Sequence, residues 1–373
     1  MKKLIIILVI SLLSNYIFCQ VDSAKVDNTI ECTCFILKNG GKKCTIKYFN
    51  DFIFKNGSSW IYYSDAKFRI VSIENKKNWL FTKKLNIMKK SINVISLFNG
   101  MGTLRQAFFN LGIKINKYYS SEIKKFANEL QQHHFPDVVQ VGDINNWRNW
   151  DIDWETIDFI GSGSPCQDLS AAGKRAGLFG SRSSLFFVFI DILNHVKKHN
   201  PNVLFLQENV GSATKKDIGI MSRELGVYPV RINSSLVTAQ LRDRYYWTNI
   251  RTKNNMFDIE VDIPQPKNKK IRLNDILTSG KSEKEKHTCL NTGSGNSGTQ
   301  RYLKHRNATT GMITIINEES NLRTCNKIEM CRLQGFPDDY CDTLTNQKAG
   351  SLLGDGWTLP VIEHILSFIN FKN

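Results

Sequence analysis

The sequence predicts an α/β protein built on a Rossmann-like, doubly wound parallel sheet. Three apolar, extended runs each end in a polar or glycine-containing turn: Val94–Phe98, Asp158–Gly161 and Val203–Gln207. A helix-like run, Thr103–Leu111, follows the first of them. Strands that alternate with helical segments are typical of βαβ units, whose strand ends meet at one edge of the sheet and bind ligands there. We therefore expect the functional residues in the turns after these strands.

The first strand leads into a Gly-x-Gly turn, Gly100–Gly102, directly before the helix-like run. Such a turn lets a cofactor approach bare backbone. Glu122 follows the short strand Lys117–Ser120 at the spacing, about twenty residues, from which an acidic side chain reaches a ribose hydroxyl. Asp143 ends a third unit and could accept a hydrogen bond from an adenine amino group. Each carboxylate alone is more consistent with a solvated loop, but three strand ends in sequence favour a cofactor site.

A thiol and a carboxylate follow the other two strands. Cys166 lies in the turn Gly163–Gln167, whose backbone Pro165 restrains, and Glu208 follows the run that ends at Gln207. A thiol beside an acid at one sheet edge suggests nucleophilic attack assisted by proton donation. An isolated Pro-Cys is more often a buried structural cysteine, so the interpretation depends on the order of all the segments.

In this order, the segments resemble the motifs of the cytosine-5 DNA methyltransferases. The matching segments are Phe98–Gly102, Glu122, Gly142–Ile144, Gly163–Gln167, Glu208–Val210, Gln240–Arg244, Arg332–Pro337 and Gly354–Val361. The resemblance extends from about Asn93 to Phe371. The region 251–321 and Trp357 are most similar to the catalytic domain of the animal de novo enzymes, whereas Ser170–Lys174 is closer to the bacterial modification enzymes.

The resemblance implies a DNA (cytosine-5-)-methyltransferase that uses S-adenosyl-L-methionine as its cofactor. It implies the methyltransferase form of the fold, a mixed and mostly parallel sheet with helices on both faces. Cys166 would add to carbon 6 of cytosine, and Glu208 would protonate or hydrogen-bond ring nitrogen 3. Arg244 would hold the base and Glu208, while Arg242 would brace the loop or a phosphate; surface salt bridges are the alternative for both arginines. The target base would have to be flipped out of the duplex.

The residues implied to bind the cofactor lie at the strand ends and in the last motif. They are Phe98, Asn99, Gly100, Met101, Gly102, Thr103, Glu122, Asp143, Ile144, Pro165, Leu185, Asp355, Gly356 and Trp357. Asp355 stands where the family usually has Asn, so we expect a weaker or altered contact there.

The expected partner is double-stranded DNA with a cytosine-containing site, and no membrane partner is needed for activity. The chain has 50 Lys+Arg against 34 Asp+Glu, a formal net charge of +16, which favours polyanions. Candidate DNA contacts are Gln167, Ser170, Lys174, Arg175, Arg182, Gln240, Arg301, Lys304 and Arg306. For the loop after Cys166, the alternative is a solvated surface loop. For Lys281–Asn307, the alternative is a disordered linker. Two other functions remain open: an RNA cytosine methylase and a non-catalytic DNA-binding paralogue. A homo-oligomer is also possible.

The domain organisation follows from these segments. We expect a catalytic domain over 88–250, a small target-recognition region over 251–321 and a C-terminal part of the catalytic domain over 322–373. Aromatic and β-branched runs separated by turns at Asn39–Gly41 and Asn56–Gly57 predict a basic, β-rich extension of unknown role over 21–87. No metal site is expected, since the chain has no Cys-x-x-Cys pair. We expect Cys289, Cys325, Cys331 and Cys341 to be structural or incidental.

The first twenty residues conflict with this function. A basic start followed by the apolar run Leu4–Leu13 resembles a secretory signal and is too short to span a membrane. A reactive Cys166 requires a reducing compartment that contains DNA, such as a nucleus or a bacterial or phage-infected cytoplasm. Met88, just before the first motif, is a candidate alternative start.

Overall fold

A seven-stranded sheet forms the centre of the larger of two units, residues 1–89 and 90–373, into which the chain divides. The computed structural model describes residues 91–165, 184–256, 258–294, 314, 316–318 and 321–370, together with the backbone of six strands between residues 21 and 72. In those described parts, no helix combines the length and the apolar character that crossing a membrane requires.

The smaller unit contains a six-stranded antiparallel sheet in which each strand pairs with the next along the chain. The strands are β1 Val21–Val26, β2 Ile30–Ile36, β3 Lys42–Ile46, β4 Phe52–Asn56, β5 Ser59–Ser64 and β6 Lys67–Ser72. This meander confirms the β-rich prediction for this part of the chain.

The central sheet of the larger unit has the strand order β12-β13-β11-β10-β7-β8-β9. Its strands are β7 Ile92–Leu97, β8 Ile115–Ser121, β9 Val138–Gln140, β10 Ile157–Ser162, β11 Leu204–Val210, β12 Val230–Asn233 and β13 Asp243–Thr248. Strands β7 to β11 are mutually parallel, and β13 runs antiparallel to both β11 and β12. The mixed, mostly parallel sheet confirms the predicted fold class.

Seven α-helices lie within the described part of the larger unit. They are α1 Thr103–Asn110, α2 Lys125–His134, α3 Leu185–His199, α4 Lys215–Leu225, α5 Lys327–Gln334, α6 Asn346–Asp355 and α7 Leu359–Leu366. The sequence did not predict α6, whose N-terminus is capped by the Thr345 hydroxyl. The last helix ends at Leu366.

The apolar character of the strands explains why they lie at the centre. Every residue of β7 is buried, as expected for a parallel strand that is covered on both faces. On one face, Phe108 of α1 packs edge-to-face on Phe159 of β10, with ring centroids 5.2 Å apart. This packing fixes the strand ends, and therefore the turns that follow them.

The described part of the region 251–321 packs into the same unit. It forms the hairpins β14 Thr252–Asn254 with β15 Ile259–Val261 and β16 Ile316–Glu318 with β17 Asn321–Arg323. Leu273 and Leu290 are buried in the core. Residues 281–294 are thus held in place, in contrast to the alternative of a disordered linker.

Candidate active site

The turn after β7 is held by a buried amide, Asn99. The hydroxyls of Ser96 and Tyr118 donate to Asn99 Oδ1, while Asn99 Nδ2 donates to Ser120 Oγ and Gln131 Oε1. Phe98 has a φ of 55°, a left-handed conformation that residues with a side chain adopt uncommonly. The network therefore holds a strained turn in one shape.

Glu122 is fixed at the end of β8 by three backbone amides. Its Oε2 accepts from Gly100 N, and its Oε1 accepts from the N–H groups of Ile123 and Lys124, each at 2.9 Å. The carboxylate thereby joins the glycine turn to the start of α2. Asp143, after β9, accepts from Asn145 N and caps the 3-10 turn Ile144–Asn149 in a similar way.

A cavity of about 420 Å³ opens at the carboxyl edge of the sheet, where these turns meet. Of the residues predicted to bind the cofactor, those that line it are Phe98, Asn99, Gly100, Thr103, Glu122, Asp143, Ile144, Pro165, Leu185, Asp355, Gly356 and Trp357. Met101 and Gly102 do not line it. Met101 is fully buried with its sulfur against Gly356, and Gly102 forms the left-handed N-cap of α1.

Glu208 and Arg244 form an ion pair in the wall of this cavity. Arg244 Nε lies 2.8 Å from Glu208 Oε1, and the side chains are only 13% and 10% exposed. Glu208 lies within β11, opposite Tyr246 of the antiparallel strand β13, so Arg244 approaches it diagonally from the same face. The guanidinium group of Arg244 thus neutralises one carboxylate oxygen of Glu208, and Glu208 still borders the cavity.

The second oxygen of Glu208 accepts a hydrogen bond from Trp357. The indole Nε1 lies 3.1 Å from Glu208 Oε2, in buried surroundings. Gly163 leaves room for the indole, since a Cβ at that position would lie 2.7 Å from Trp357 Nε1. The turn after β10, the acid of β11 and the C-terminal tryptophan are therefore in mutual contact.

Arg242 fixes the loop that carries Trp357. It is 2% exposed, and its guanidinium donates to the carbonyl oxygens of Leu290, Gly354 and Gly356 at 3.1, 3.0 and 2.7 Å. Its hydrogen bonds thus join the region 251–321 to the last motif.

Asp355 forms an ion pair with Lys124 beside the cavity. Lys124 Nζ lies 2.7 Å from Asp355 Oδ2, and both residues line the cavity. The carboxylate of Asp355 thus has a cationic partner at the N-cap of α2.

Cys289 lies beside both arginines of the motif. Its sulfur lies 3.2 Å from Arg242 Nη1 and 3.7 Å from Arg244 Nη2. Burial raises the pKa of the Cys289 thiol, but the two guanidinium groups outweigh burial and leave its pKa below the usual value.

Several predicted site residues lie outside the described part of the chain. They are Cys166, Gln167, Ser170, Lys174, Arg175, Arg182, Arg301, Lys304 and Arg306. Gln240 is described and fully buried: its Nε2 donates to Leu333 O, and its Oε1 accepts from Leu290 N. Its amide holds two chain segments together, so this arrangement offers no side-chain contact with DNA.

Sequence reasoning missed three features of the site: the bond between Trp357 and Glu208, the partner of Asp355 and the setting of Cys289. The motif order indicated that Trp357 lies near the cofactor, but it gave no signal for a bond to the acid. Lys124 lies two residues after Glu122, and nothing in the sequence indicated that it would contact Asp355.

Comparison with known proteins agrees with this geometry. The family model described as C-5 cytosine-specific DNA methylase matches residues 92–296, more than half of the chain. The type II methyltransferase M.HpaII of Haemophilus parainfluenzae is 27% identical over 326 residues, which cover 74% of this chain and 88% of that protein. The type II methyltransferase M1.ScrFI of Lactococcus lactis subsp. cremoris is 28% identical over 308 residues, covering 73% of this chain and 76% of the relative.

Solved structures share the fold. The Dnmt2 methyltransferase of S. pombe superposes with a TM-score of 0.50 at 15% identity, over 74% of this chain and 98% of that one. The methyltransferase EhMeth of Entamoeba histolytica gives a TM-score of 0.50 at 18% identity, over 75% and 98% of the two chains.

Proposed function

Because this chain belongs to the C-5 cytosine-specific DNA methylase family, and is thus a cytosine-5 methyltransferase, we propose that it methylates cytosine in double-stranded DNA. The observation that carries the proposal is the shared cavity. Glu208, held by Arg244, lines the same cavity as the glycine turn and Glu122. Methyl transfer from a bound donor to a flipped base requires that the acid and the cofactor-binding turn share one cavity.

The cavity fits S-adenosyl-L-methionine. Its lining includes the bare backbone of Gly100, the fixed carboxylate of Glu122 and the side chain of Asp143, a donor and acceptor set that suits a nucleoside. The apolar side chains of Phe98 and Leu185 in the cavity wall suit the adenine and sulfonium-bearing parts of the cofactor. When bound, this cofactor supplies the methyl group and leaves as S-adenosylhomocysteine.

The chain's own residues activate the base. The sulfur of Cys166, after losing its thiol proton to solvent, forms a bond to carbon 6. The C5–C6 double bond then shifts to C4–C5, and the electron pair of the C4–N3 double bond moves onto nitrogen 3. Glu208 takes up a proton from solvent and donates it, or a hydrogen bond, at nitrogen 3, which stabilises that charge. After carbon 5 has accepted the methyl group, it loses its proton to solvent. Departure of the Cys166 sulfur as thiolate, with return of any proton from nitrogen 3 to Glu208, restores the aromatic ring.

The full chain, incubated with labelled cofactor, tests this proposal. We expect label on cytosine carbon 5 of duplex DNA, abolished by Cys166→Ser and reduced roughly 10²- to 10⁴-fold by Glu208→Gln. A duplex that contains 5-fluorocytosine should trap a covalent adduct, because the fluorine cannot leave as a proton does. Label on transfer RNA but not on DNA would contradict the assigned substrate, and a turnover unaffected by Cys166→Ser would contradict the assigned nucleophile.

A further inference from the structure

We propose that Trp357 is a positioning residue for Glu208: its indole N–H sets the orientation of the carboxyl group that acts on the target base. The inference rests on the proposed function and adds to it a second fixed hydrogen-bond donor to Glu208. Arg244 Nε holds one carboxyl oxygen of Glu208 at 2.8 Å, and Trp357 Nε1 holds the other at 3.1 Å. A carboxyl group held at both oxygens cannot rotate about its terminal bond without breaking a hydrogen bond.

The indole is itself held in place. Arg242 donates to the carbonyl oxygens of Gly354 and Gly356, the residues on either side of Asp355. Gln334 Nε2 donates to the Gly356 carbonyl, and Gln334 Oε1 accepts from the Thr358 hydroxyl. The residues immediately before and after Trp357 are thus attached to the core, so the position of the indole is set before any substrate binds.

Both arginines of the motif therefore act on one carboxyl group. Arg244 contacts Glu208 directly, whereas Arg242, two residues earlier, acts through the Trp357 loop. Gly163 completes the arrangement, because any side chain there would meet the indole nitrogen. This arrangement couples the last motif to the acid as well as to the cofactor cavity.

A matched pair of tryptophan substitutions tests the role. Trp357→Phe removes the N–H donor and keeps an aromatic ring in the cavity wall. Trp247→Phe is the control: Trp247 is fully buried, and its indole donates to Ser222 Oγ of α4 at 3.0 Å. Side chains alternate along β13, so Trp247 lies on the opposite face of the sheet from Arg244 and Tyr246.

We expect Trp357→Phe to lower kcat roughly 10- to 100-fold, the factor that loss of one hydrogen bond to a charged group gives. The dissociation constant for the cofactor, measured by calorimetry, should change less than about threefold, because the ring remains. Trp247→Phe should keep the wild-type kcat. A Trp357→Phe variant with full kcat and weakened cofactor binding would overturn the positioning role.

A spectroscopic measurement separates this inference from the proposed function. In protein labelled with ¹⁵N at its tryptophan indoles, Glu208→Gln should shift the Trp357 N–H resonance and leave the Trp247 resonance in place. This readout requires neither turnover nor correct folding of a tryptophan variant. A wild type that methylates no nucleic acid while the resonance still shifts would overturn the proposed function and leave the contact established. An unmoved resonance in a methylating enzyme would overturn the inference.

Discussion

Arg244 Nε lies 2.8 Å from Glu208 Oε1 across the antiparallel strands β11 and β13, in a pair whose side chains are nearly buried. Such a pair is costly to break from one side, because the remaining charge is left without a partner in surroundings that solvate it poorly. The same ion pair should therefore contribute to stability and, under the proposed function, to catalysis.

Arg244→Met should destabilise the protein by about 3–5 kcal/mol and abolish methyl transfer, since Glu208 is left buried with one donor. The control is Arg231→Met, which breaks a surface pair with Asp243 whose arginine is 55% exposed and should cost about 1 kcal/mol or less. Urea denaturation of both variants measures the difference. Equal free energies of unfolding for the two variants would show that the Glu208 pair is not effectively buried.

The charges of Lys124 and Asp355 should tune cofactor affinity in opposite directions. S-adenosylmethionine carries a net positive charge, so Asp355→Asn, which leaves Lys124 without its anionic partner, should weaken binding roughly two- to fivefold. Lys124→Met should strengthen it by a similar factor. Calorimetry at low and high salt checks both, and the two effects should shrink as salt screens the partly exposed pair.

S-adenosylhomocysteine provides the control for this pair. It lacks the sulfonium charge, so its affinity should respond less to either substitution. Changes of the same sign for Lys124→Met and Asp355→Asn would indicate that the ion pair acts as a unit that shapes the cavity, and would contradict the electrostatic explanation.

The extent to which the site could be predicted depends on how local each signal is. The strands β7, β10 and β11 were predictable because apolar runs identify buried strands, and Glu208 and Arg244 because they stand in motifs. Trp357 and Glu208 are 149 residues apart, and Lys124 and Asp355 are 231 apart, so no local pattern links either pair. Gln240 was expected at the DNA, yet its amide is buried and satisfies two backbone groups, as buried polar side chains commonly do.

Glu329 should make stability depend on pH in the acid range. It is fully buried on α5, and burial raises its pKa, but hydrogen bonds from Arg323 and from the backbone of Thr278 and Asn326 outweigh burial and hold the pKa below its usual value. A carboxyl whose pKa is depressed by folding stabilises the protein above the pKa of the unfolded chain, about 4.3. That contribution is lost as the pH falls through the lower pKa of the folded state.

Glu329→Gln should therefore cost on the order of 3 kcal/mol at pH 7, and the difference from wild type should narrow as the pH falls below about 4. Glu283→Gln, at an exposed position, is the control and should be nearly neutral throughout. Denaturant unfolding at a series of pH values measures both. A cost for Glu329→Gln that stays constant down to the lowest pH would contradict the ionised state assigned to this carboxyl.

Gly163→Ala should disturb the active site through the indole of Trp357. The added Cβ would lie 2.7 Å from Nε1, so the ring must move away from Glu208, at a cost of about 1–3 kcal/mol for overpacking. The matched control is Gly219→Ala on α4, where an added Cβ meets nothing within 4 Å and a helical alanine should stabilise by about 0.5–1 kcal/mol. Thermal denaturation and methyl-transfer assays on both variants provide the measurement. Gly163 lies in the turn after β10, and Trp357 lies in the C-terminal segment. A Gly163→Ala enzyme with unchanged kcat would therefore mean that the indole can move without affecting the acid, and it would separate the packing of Trp357 from catalysis.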